Sequence, residues 1–239
     1  MDLDGVEVLA FDVFGTVVDW YSSVAAEVAE LGLTAGDGSA VDGGRFALAW
    51  RARYAPTLHR VAAGELTWAP LDDLHRLMLD DCLAEFDVRG LSEDQKRHLT
   101  RVWHRLRPWP DSVEGLTRLK RRFVICTLSN GNIGLLTRMA KFAGLPWDLI
   151  MSAELFEHYK PDPETYLGAA KLLCLPPEQV MMVAAHNHDL KAAQKLGLKT
   201  AFVARPTEYG PHQKYDFEAR GAWDIVAKDF GGIADRLGC

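Results

Sequence analysis

The sequence predicts an α/β protein in which helices flank a parallel β-sheet and a second, helical unit is inserted after the first strand. Two observations support this fold class. Short apolar runs alternate with helical patterns over most of the 239 residues, whereas the stretch 20–110 shows helical patterns alone. Continuous apolar runs are typical of strands buried on both faces, and their alternation with helices is typical of right-handed parallel crossovers.

Five apolar runs have the length and composition of buried strands. They cover residues 6–11, 123–128, 148–151, 180–185 and 200–204. Helical patterns at 112–122, 132–144, 163–174 and 189–197 separate the later runs. We therefore expect five parallel strands joined by crossover helices.

The stretch 20–110 interrupts this alternation, and no strand is predicted within it. Pro108 and Pro110 predict the hinge at which the chain returns, because proline interrupts helices and stiffens a linker. The sequence therefore predicts a core domain of residues 1–19 and 111–239 and an inserted helical domain of residues 20–110.

The charge, the cysteine spacing and the distribution of apolar residues argue against several classes of partner and site. The 27 basic and 33 acidic residues give a formal net charge of −6, so the surface offers nucleic acid no general attraction. The four cysteines are far apart and form no CxxC pair, which favours reduced thiols over a zinc site or disulfide framework. The acidic start MDLDGVEV and the lack of an apolar stretch near the ~20 residues that a membrane helix needs predict a cytoplasmic protein without a membrane partner.

Polar side chains follow four of the predicted strands. In chain order they are Asp12 with Thr16, Ser129 with Asn130, Lys160, and the run His-Asn-His-Asp at 186–189. Ligands of open parallel sheets bind beyond the carboxyl ends of the strands. We therefore expect the four clusters to meet at one edge of the sheet.

Asp12 is the central candidate, since a carboxylate at a strand end can act as a nucleophile, a metal ligand or a base. Gly15 would give the tight turn behind it. Lys160, if it reaches the site, would lower the pKa of Asp12 and keep it ionised. The alternative is that Lys160 is a surface lysine before a proline turn. Tyr166, six residues further on, is as consistent with core packing as with the site.

Two further patterns leave alternatives open. Ser129 and Asn130 precede a helix whose backbone N–H groups could bind an anion, although Ser129 could also be a simple N-cap. His186 and His188 could be metal ligands, but no other His or Cys cluster supplies a third one. We interpret the run 186–189 as hydrogen bonding to a substrate or as orienting Asp189. No metal site and no cofactor is predicted.

The segments FDVFGT, LSNG and KPDPETY, with the late Asp189 before LKAAQKLGLKTAFV, resemble the four motifs of the haloacid dehalogenase superfamily, in order and over nearly the whole chain. The resemblance implies a Rossmann-like core and a helical cap domain. Most members are Mg²⁺-dependent phosphatases, and two of their acids are missing. Phe14 replaces the second Asp of the first motif, and Ala185 replaces an Asp four residues before the last one. Because Mg²⁺ needs a nearly full set of oxygen ligands, phosphoryl transfer is disfavoured.

The retained residues resemble those of the 2-haloacid dehalogenases, a metal-free subgroup in which an aromatic residue replaces the second Asp. The resemblance implies that Asp12 displaces the halide from carbon and forms an ester that water hydrolyses to the 2-hydroxy acid. It also implies that Thr16 hydrogen-bonds near Asp12, that Lys160 keeps Asp12 charged, and that Asp189 positions or activates the water.

The resemblance also implies a set of substrate contacts. Ser129 and Asn130 would bind the substrate carboxylate and help to receive the halide. Arg51, in LAWRARY, would guide the acid in and stabilise the departing halide in a water-free pocket. The alternative is that Arg51 lies on a solvated helix face with Arg53. The remaining substrate-binding candidates are Phe14, Tyr166, His186, Asn187 and His188.

The expected partners are a short haloacid and water, and the resemblance is consistent with a homodimer. An imidazole could donate a hydrogen bond to the leaving halide and would titrate near the working pH. Halogen preference, including fluoride, is left open. Two other functions stay open as well: a phosphatase or phosphonatase-like hydrolase with an atypical metal site, and a non-catalytic member that binds a partner or a small acid.

Overall fold

The structure is a computed structural model and describes residues 3–239. Its strands are β1 (Val8–Phe11), β2 (Val18–Asp19), β3 (Arg107–Pro108), β4 (Val124–Ser129), β5 (Leu149–Ser152), β6 (Val180–Ala184), β7 (Lys199–Val203) and β8 (Ile225–Ala227). Its α-helices are α1 (Trp20–Glu30), α2 (Gly43–Ala52), α3 (Tyr54–Ala62), α4 (Leu71–Glu85), α5 (Glu93–Thr100), α6 (Ser112–Leu119), α7 (Ile133–Ala143), α8 (Pro163–Leu172), α9 (Asn187–Lys195) and α10 (Phe230–Arg236). Short 3-10 turns occupy Arg101–His104, Ala153–Leu155 and Pro177–Gln179.

The main sheet has six parallel strands in the order β5-β4-β1-β6-β7-β8. The predicted fold class is confirmed, and the five predicted strands and four predicted helices lie where the apolar pattern placed them. Strand β8 was not predicted. It has only three residues at the sheet edge, and Val226 is exposed there, so it lacks the continuous apolar run of a central strand.

Strand β1 shows why these runs are apolar throughout. Leu9 and Phe11 pack into one buried cluster, and Val8 and Ala10 pack into a second cluster with residues of α8 and α9. Successive side chains of a strand point to opposite faces, so a strand covered on both faces must be apolar at every position. The larger of the two clusters continues into the inserted helices.

The sheet order also locates a crevice. The chain leaves β1, pairs β4 on one side of it, and later pairs β6 on the other side. The connections therefore diverge beyond the carboxyl end of β1, which is where ligands bind in open α/β sheets.

The inserted stretch is not free of strand, which corrects the sequence prediction. Val18 pairs with Pro108 and Asp19 with Arg107 in an antiparallel ribbon where the insertion begins and ends. Two residues, one of them a proline, give no periodic signal; proline is tolerated here because an edge position needs no N–H donor. The division into a core domain and an inserted domain stays a prediction. Within the described residues, none of the helices combines the length and apolarity that crossing a bilayer requires.

Candidate active site

A cavity of about 660 Å³ lies at the carboxyl ends of β1, β4 and β6 and is covered by residues of α2, α3 and α4. The sequence-predicted residues that line it are Asp12, Phe14, Arg51, Asn130, Lys160, Tyr166, His186, His188 and Asp189. The polar clusters that follow four separate strands therefore do meet at one edge of the sheet.

Asp12 directly follows β1, and its backbone N–H continues the sheet by donating to the Val183 carbonyl at 3.0 Å. Its carboxylate accepts three hydrogen bonds: Oδ1 from Lys160 Nζ at 3.1 Å, and Oδ2 from Thr16 Oγ1 at 2.7 Å and from His186 Nδ1 at 3.0 Å. Burial raises the pKa of Asp12, but the charges of Lys160 and His186 together hold that pKa well below its usual range. Asp12 is therefore an ionised carboxylate.

Lys160 connects two carboxylates. Its Nζ lies 3.1 Å from Asp12 and 2.5 Å from Oδ2 of Asp189, whose Oδ1 accepts from the Tyr166 hydroxyl at 2.6 Å. Burial lowers the pKa of Lys160, but the two carboxylates raise it above its ordinary value, so the ammonium stays charged. The surface-lysine alternative is wrong, because the side chain is only 7% exposed. Tyr166 is fully buried and also contacts Asp189, so core packing and a place at the site are both realised.

Asn130 fastens the segment that carries Lys160. Its Oδ1 accepts from the Lys160 backbone N–H at 2.7 Å, and its Nδ2 donates to the Lys160 carbonyl and to the Tyr54 hydroxyl. One side chain therefore links the end of β4, the lysine and an inserted helix.

Ser129 does not fit its predicted role as a carboxylate-binding residue. It is fully buried, does not line the cavity, and its Oγ accepts from the Gly131 N–H at 3.2 Å. Nor is it the helix cap, since Asn132 holds that position before α7. The first N–H of α7, at Ile133, donates to Glu154 at 2.7 Å, so an internal carboxylate occupies the place of the predicted anion.

His186 bridges Asp12 and a residue that sequence reasoning missed, Glu208. Its Nδ1 lies 3.0 Å from Asp12 Oδ2, and its Nε2 lies 3.0 Å from both Glu208 oxygens. Burial lowers the pKa of His186, but Glu208 and Asp12 raise it well above its ordinary value, so the expected titration near the working pH is wrong. Glu208 follows β7 in the loop ARPTEYG, and its position after a strand is the one sequence signal that could have found it.

The two residues that follow His186 point in different directions. The His188 ring lines the cavity 5.6 Å from the His186 ring, and burial and that neighbouring charge lower its pKa. Asn187 faces away, which corrects its prediction as a substrate-binding residue. Its Nδ2 donates to Asp216 at 2.8 Å, and its Oδ1 accepts from Trp223 Nε1 at 3.1 Å. Asn187 begins α9, where consecutive side chains point in different directions, and it therefore fastens a surface loop.

Arg51 of α2 lines the cavity from the inserted side. Its guanidinium carbon lies 4.3 Å from the Tyr54 ring centroid, with the Trp20 and Tyr209 rings at 5.9 and 6.0 Å. Within residues 3–239, no carboxylate oxygen comes within 4.0 Å of it. The solvated-face alternative is wrong for Arg51, whereas Arg53 does pair with Glu85 at the surface. Arg51 is therefore a cation held by aromatic rings and directed at the cavity.

The two positions that differ from the phosphatase pattern, Phe14 and Ala185, have no oxygen in their side chains. Phe14 packs its ring edge-to-face against His75 and Trp103, with centroids 6.3 and 5.8 Å away. Burial lowers the pKa of His75 to about 3, so this wall is neutral and aromatic. Ala185 is fully buried, and its backbone N–H donates to Thr16 Oγ1 at 2.9 Å.

One cluster in the described part of the chain has the composition of a metal site. His158, Asp162 and Glu164 bring ligand atoms within 4.8 Å of one another, and the first two of them line the cavity. The group includes neither Asp12 nor Asp189, and exposed acidic groups commonly stand together without an ion. We therefore assign no metal to this cluster.

An ionised aspartate beside a buried ammonium, in a cavity that a guanidinium also lines, is an arrangement suited to a hydrolase that acts on a small acid. The comparisons agree with this class. Residues 6–197 match the family model described as haloacid dehalogenase-like hydrolase. The chain belongs to that family.

Relatives that are similar over most of their length include (S)-2-haloacid dehalogenase 4A of Burkholderia cepacia, 29% identical over 95% of this chain and 97% of the relative. Another is (S)-2-haloacid dehalogenase 1 of Pseudomonas sp. (strain CBS-3), 30% identical over 87% of this chain and 89% of the relative. Two similar crystal structures are 46% identical. They are the L-2-haloacid dehalogenase PA0810, with a TM-score of 0.92 over 98% of this chain and 99% of that one, and the defluorinating L-2-haloacid dehalogenase Rha0230, with a TM-score of 0.93 over 98% and 96%.

Proposed function

We propose that this chain is a hydrolytic dehalogenase that converts short 2-haloalkanoic acids, such as a haloacetate or an L-2-haloacid, to the 2-hydroxy acid and halide. The observation that carries the proposal is the ionised Asp12 held 3.1 Å from Lys160, with apolar Phe14 and Ala185 where a phosphatase has its acids. The names of the relatives and of the similar structures support the same reaction.

In the first step, an oxygen of Asp12 attacks the halogen-bearing carbon in line with the carbon–halogen bond. The new C–O bond forms as the halide leaves with the bonding electron pair, and Asp12 becomes an ester. Lys160 supports this step by keeping the carboxylate ionised and oriented. Arg51, which lines the cavity and stacks on the Tyr54 ring, receives the substrate carboxylate and stabilises the developing halide charge.

In the second step, water attacks the ester carbon of Asp12 and releases the hydroxy acid. Asp189 is suited to accept the water proton, because its Oδ2 lies 2.5 Å from Lys160 Nζ and the Tyr166 hydroxyl orients its other oxygen. Asn130 and His188 shape the pocket around the substrate, with Asn130 acting through the backbone of Lys160.

The phosphatase alternative is not favoured, because leaving-group protonation and a full Mg²⁺ ligand set both need oxygens at the positions of Phe14 and Ala185. The proposal includes metal-independent turnover, an inserted helical cap domain and a homodimer. The four free cysteines support action in the reducing cytoplasm.

The test is a halide-release screen in EDTA with chloro-, bromo- and fluoroacetate and L-2-chloropropionate, with the Asp12→Asn variant alongside. We expect halide and hydroxy acid in equal amounts from the wild-type enzyme and none from the variant. Fluoroacetate is included because one similar structure is that of a defluorinating enzyme. No halide from any of these acids, or Mg²⁺-dependent hydrolysis of p-nitrophenyl phosphate instead, would contradict the proposal.

A further inference from the structure

The two oxygens of Asp12 have different surroundings. Oδ1 accepts one hydrogen bond, from Lys160, whereas Oδ2 accepts two, from Thr16 and His186. The Thr16 hydroxyl has one proton, and its oxygen already accepts from the Ala185 N–H at 2.9 Å, so that proton is directed at Asp12. Both nitrogens of His186 face carboxylates, which only accept, so both carry a proton.

This asymmetry distinguishes the nucleophilic oxygen from the other one. An oxygen that attacks carbon needs a free lone pair, and Oδ1 has fewer donors around it than Oδ2. In the resulting ester, Oδ2 is the carbonyl oxygen, which accepts two hydrogen bonds readily. When water adds to the ester carbon, the negative charge develops on Oδ2, where the two donors already lie.

We propose that His186 and Thr16 stabilise the oxyanion formed on Asp12 during ester hydrolysis, and that Glu208 is the positioning residue that keeps a proton on His186 Nδ1. The inference rests on the proposed function and assigns residues to its second step. It gives His186 a role in ester breakdown rather than in binding substrate or halide.

The step balances without a further reactant. Water oxygen bonds to the ester carbon of Asp12 as Asp189 takes one water proton, and the carbonyl electron pair moves onto Oδ2. Collapse of this intermediate re-forms the carbonyl and breaks the bond from the ester carbon to Oδ1, which leaves as the hydroxyl oxygen of the product. Lys160 protonates that oxygen and recovers its proton from Asp189, 2.5 Å away. The second water proton is lost when the new Asp12 carboxyl ionises.

Glu208 is needed because Asp12 loses its negative charge when it becomes an ester. The groups that face His186 are Asp12, Glu208 and the His188 ring. Arg51 acts electrostatically on Glu208 and Asp12, and Lys160 on Asp12. Once Asp12 is esterified, Glu208 is the remaining carboxylate in hydrogen-bond contact with the imidazole. Without its charge, His186 loses a proton and can present a bare Nδ1 lone pair to Oδ2.

The surroundings of Glu208 keep it in place. The residue is fully buried, and its Oε1 accepts from Trp20 Nε1 at 3.0 Å. Gly15 has a φ of +82°, and a Cβ at that position would lie 2.1 Å from Glu208 Oε1, so the turn behind the nucleophile leaves room for this carboxylate.

The decisive experiment compares the two chemical steps in the Glu208→Gln variant. Rapid quenching with bromoacetate measures the first equivalent of bromide, and intact mass spectrometry measures the Asp12 ester. We expect a bromide burst at nearly the wild-type rate, accumulation of the ester, and ester breakdown slowed about 10²-fold. Breakdown in the variant should slow further as pH rises through the neutral range, because His186 then loses its proton; the wild-type rate should stay flat there.

Glu218→Gln is the matched control, since Glu218 is an exposed acid, and we expect it to behave as wild type. If Glu208→Gln does not fold by circular dichroism, His186→Gln replaces it, with the same burst and ester accumulation expected. Unchanged ester breakdown, or a burst slowed as much as breakdown, would overturn the inference alone. If the wild-type enzyme gives no bromide at all, the proposed function fails, and this inference fails with it.

Discussion

The Nζ of Lys160 lies 3.1 Å from Oδ1 of Asp12, although 148 residues separate them in the chain. The contact joins the end of the central strand β1 to the loop between β5 and α8. Because both groups are buried, the pair sets the charge state of the nucleophile.

Replacing Lys160 with Met should remove that control. The pKa of Asp12 rises when the ammonium is lost, and the carboxylates of Asp12 and Asp189 are left without the cation between them. We expect kcat/KM for chloroacetate to fall by about 10³-fold. Lys171→Met, at an exposed position on α8, is the matched control and should keep wild-type activity. A Lys160→Met enzyme within threefold of wild type would show that the ammonium is dispensable.

Arg51 should act mainly through substrate binding. We expect Arg51→Ala to raise KM for chloroacetate about tenfold or more, because the cavity then loses the cation that meets the substrate carboxylate. Arg51→Lys should recover only part of this loss, since an ammonium does not stack on the Tyr54 ring as a guanidinium does. Arg53→Ala serves as the control, because Arg53 does not line the cavity and its contacts are an ion pair with Glu85 and hydrogen bonds to two backbone carbonyls. Equal KM values for the Arg51 and Arg53 variants would contradict this role.

The buried charges predict a defined pH dependence of activity on the acid side. The pKa of Asp12 is lowered from its ordinary 3.8, so the nucleophile stays ionised below the range in which an aspartate normally gains its proton. The stability that this shift gives is present above pH 3.8 and is lost as pH falls through the lowered value. We expect kcat/KM to show no acid limb from Asp12 above pH 3.8, measured with chloroacetate over the range in which circular dichroism shows folded protein. A limb at pH 5 to 6 would mean that Asp12 is not held ionised.

The contribution of His186 to stability has the opposite pH dependence from that of Asp12. Its pKa is raised in the folded state, so its contribution to stability is fully present below its unfolded value of 6.5 and is lost as pH rises through the folded value. We expect the free energy of unfolding of the wild-type protein to exceed that of His186→Gln most below pH 6.5, and the difference to shrink at alkaline pH. Urea unfolding at several pH values measures it. A difference that grows with pH would show that His186 is neutral in the fold.

Gly15 should be far less tolerant of substitution than another glycine with the same backbone angle. Gly15 and Gly38 both have a φ of +82°, but a Cβ at Gly38 meets nothing within 4 Å, whereas one at Gly15 meets Glu208. Gly38→Ala therefore measures the backbone strain alone, about 1–2 kcal/mol. Gly15→Ala should cost more in urea unfolding and should also slow turnover, because Glu208 must move. Equal costs for the two variants would mean that the contact with Glu208 carries no constraint.

The apolar runs were sufficient to predict the sheet core and the meeting of Asp12, Lys160 and Asp189, because the ends of parallel strands share one edge. The apolar pattern does not indicate the direction in which each side chain near a strand end points. Asn187 points outward although the residues on either side of it line the cavity. Ser129 is fully buried and does not line the cavity, although its neighbour Asn130 does.

The rest of the site depends on long-range contacts that leave no local signal. Glu208 reaches His186 from a polar loop after β7, a region with neither a motif nor a period. Strand β8 was missed because a short edge strand with an exposed residue resembles a loop in sequence.

The central claim is that Asp12 itself becomes an ester and is hydrolysed. A single turnover with excess enzyme in H₂¹⁸O, followed by mass spectrometry of the Asp12 peptide and of the product, tests it most directly. The account predicts ¹⁸O in the Asp12 carboxylate and an unlabelled hydroxyl oxygen in the first product. Label in the product and none in Asp12 would mean that water attacks the substrate directly, which would contradict the account.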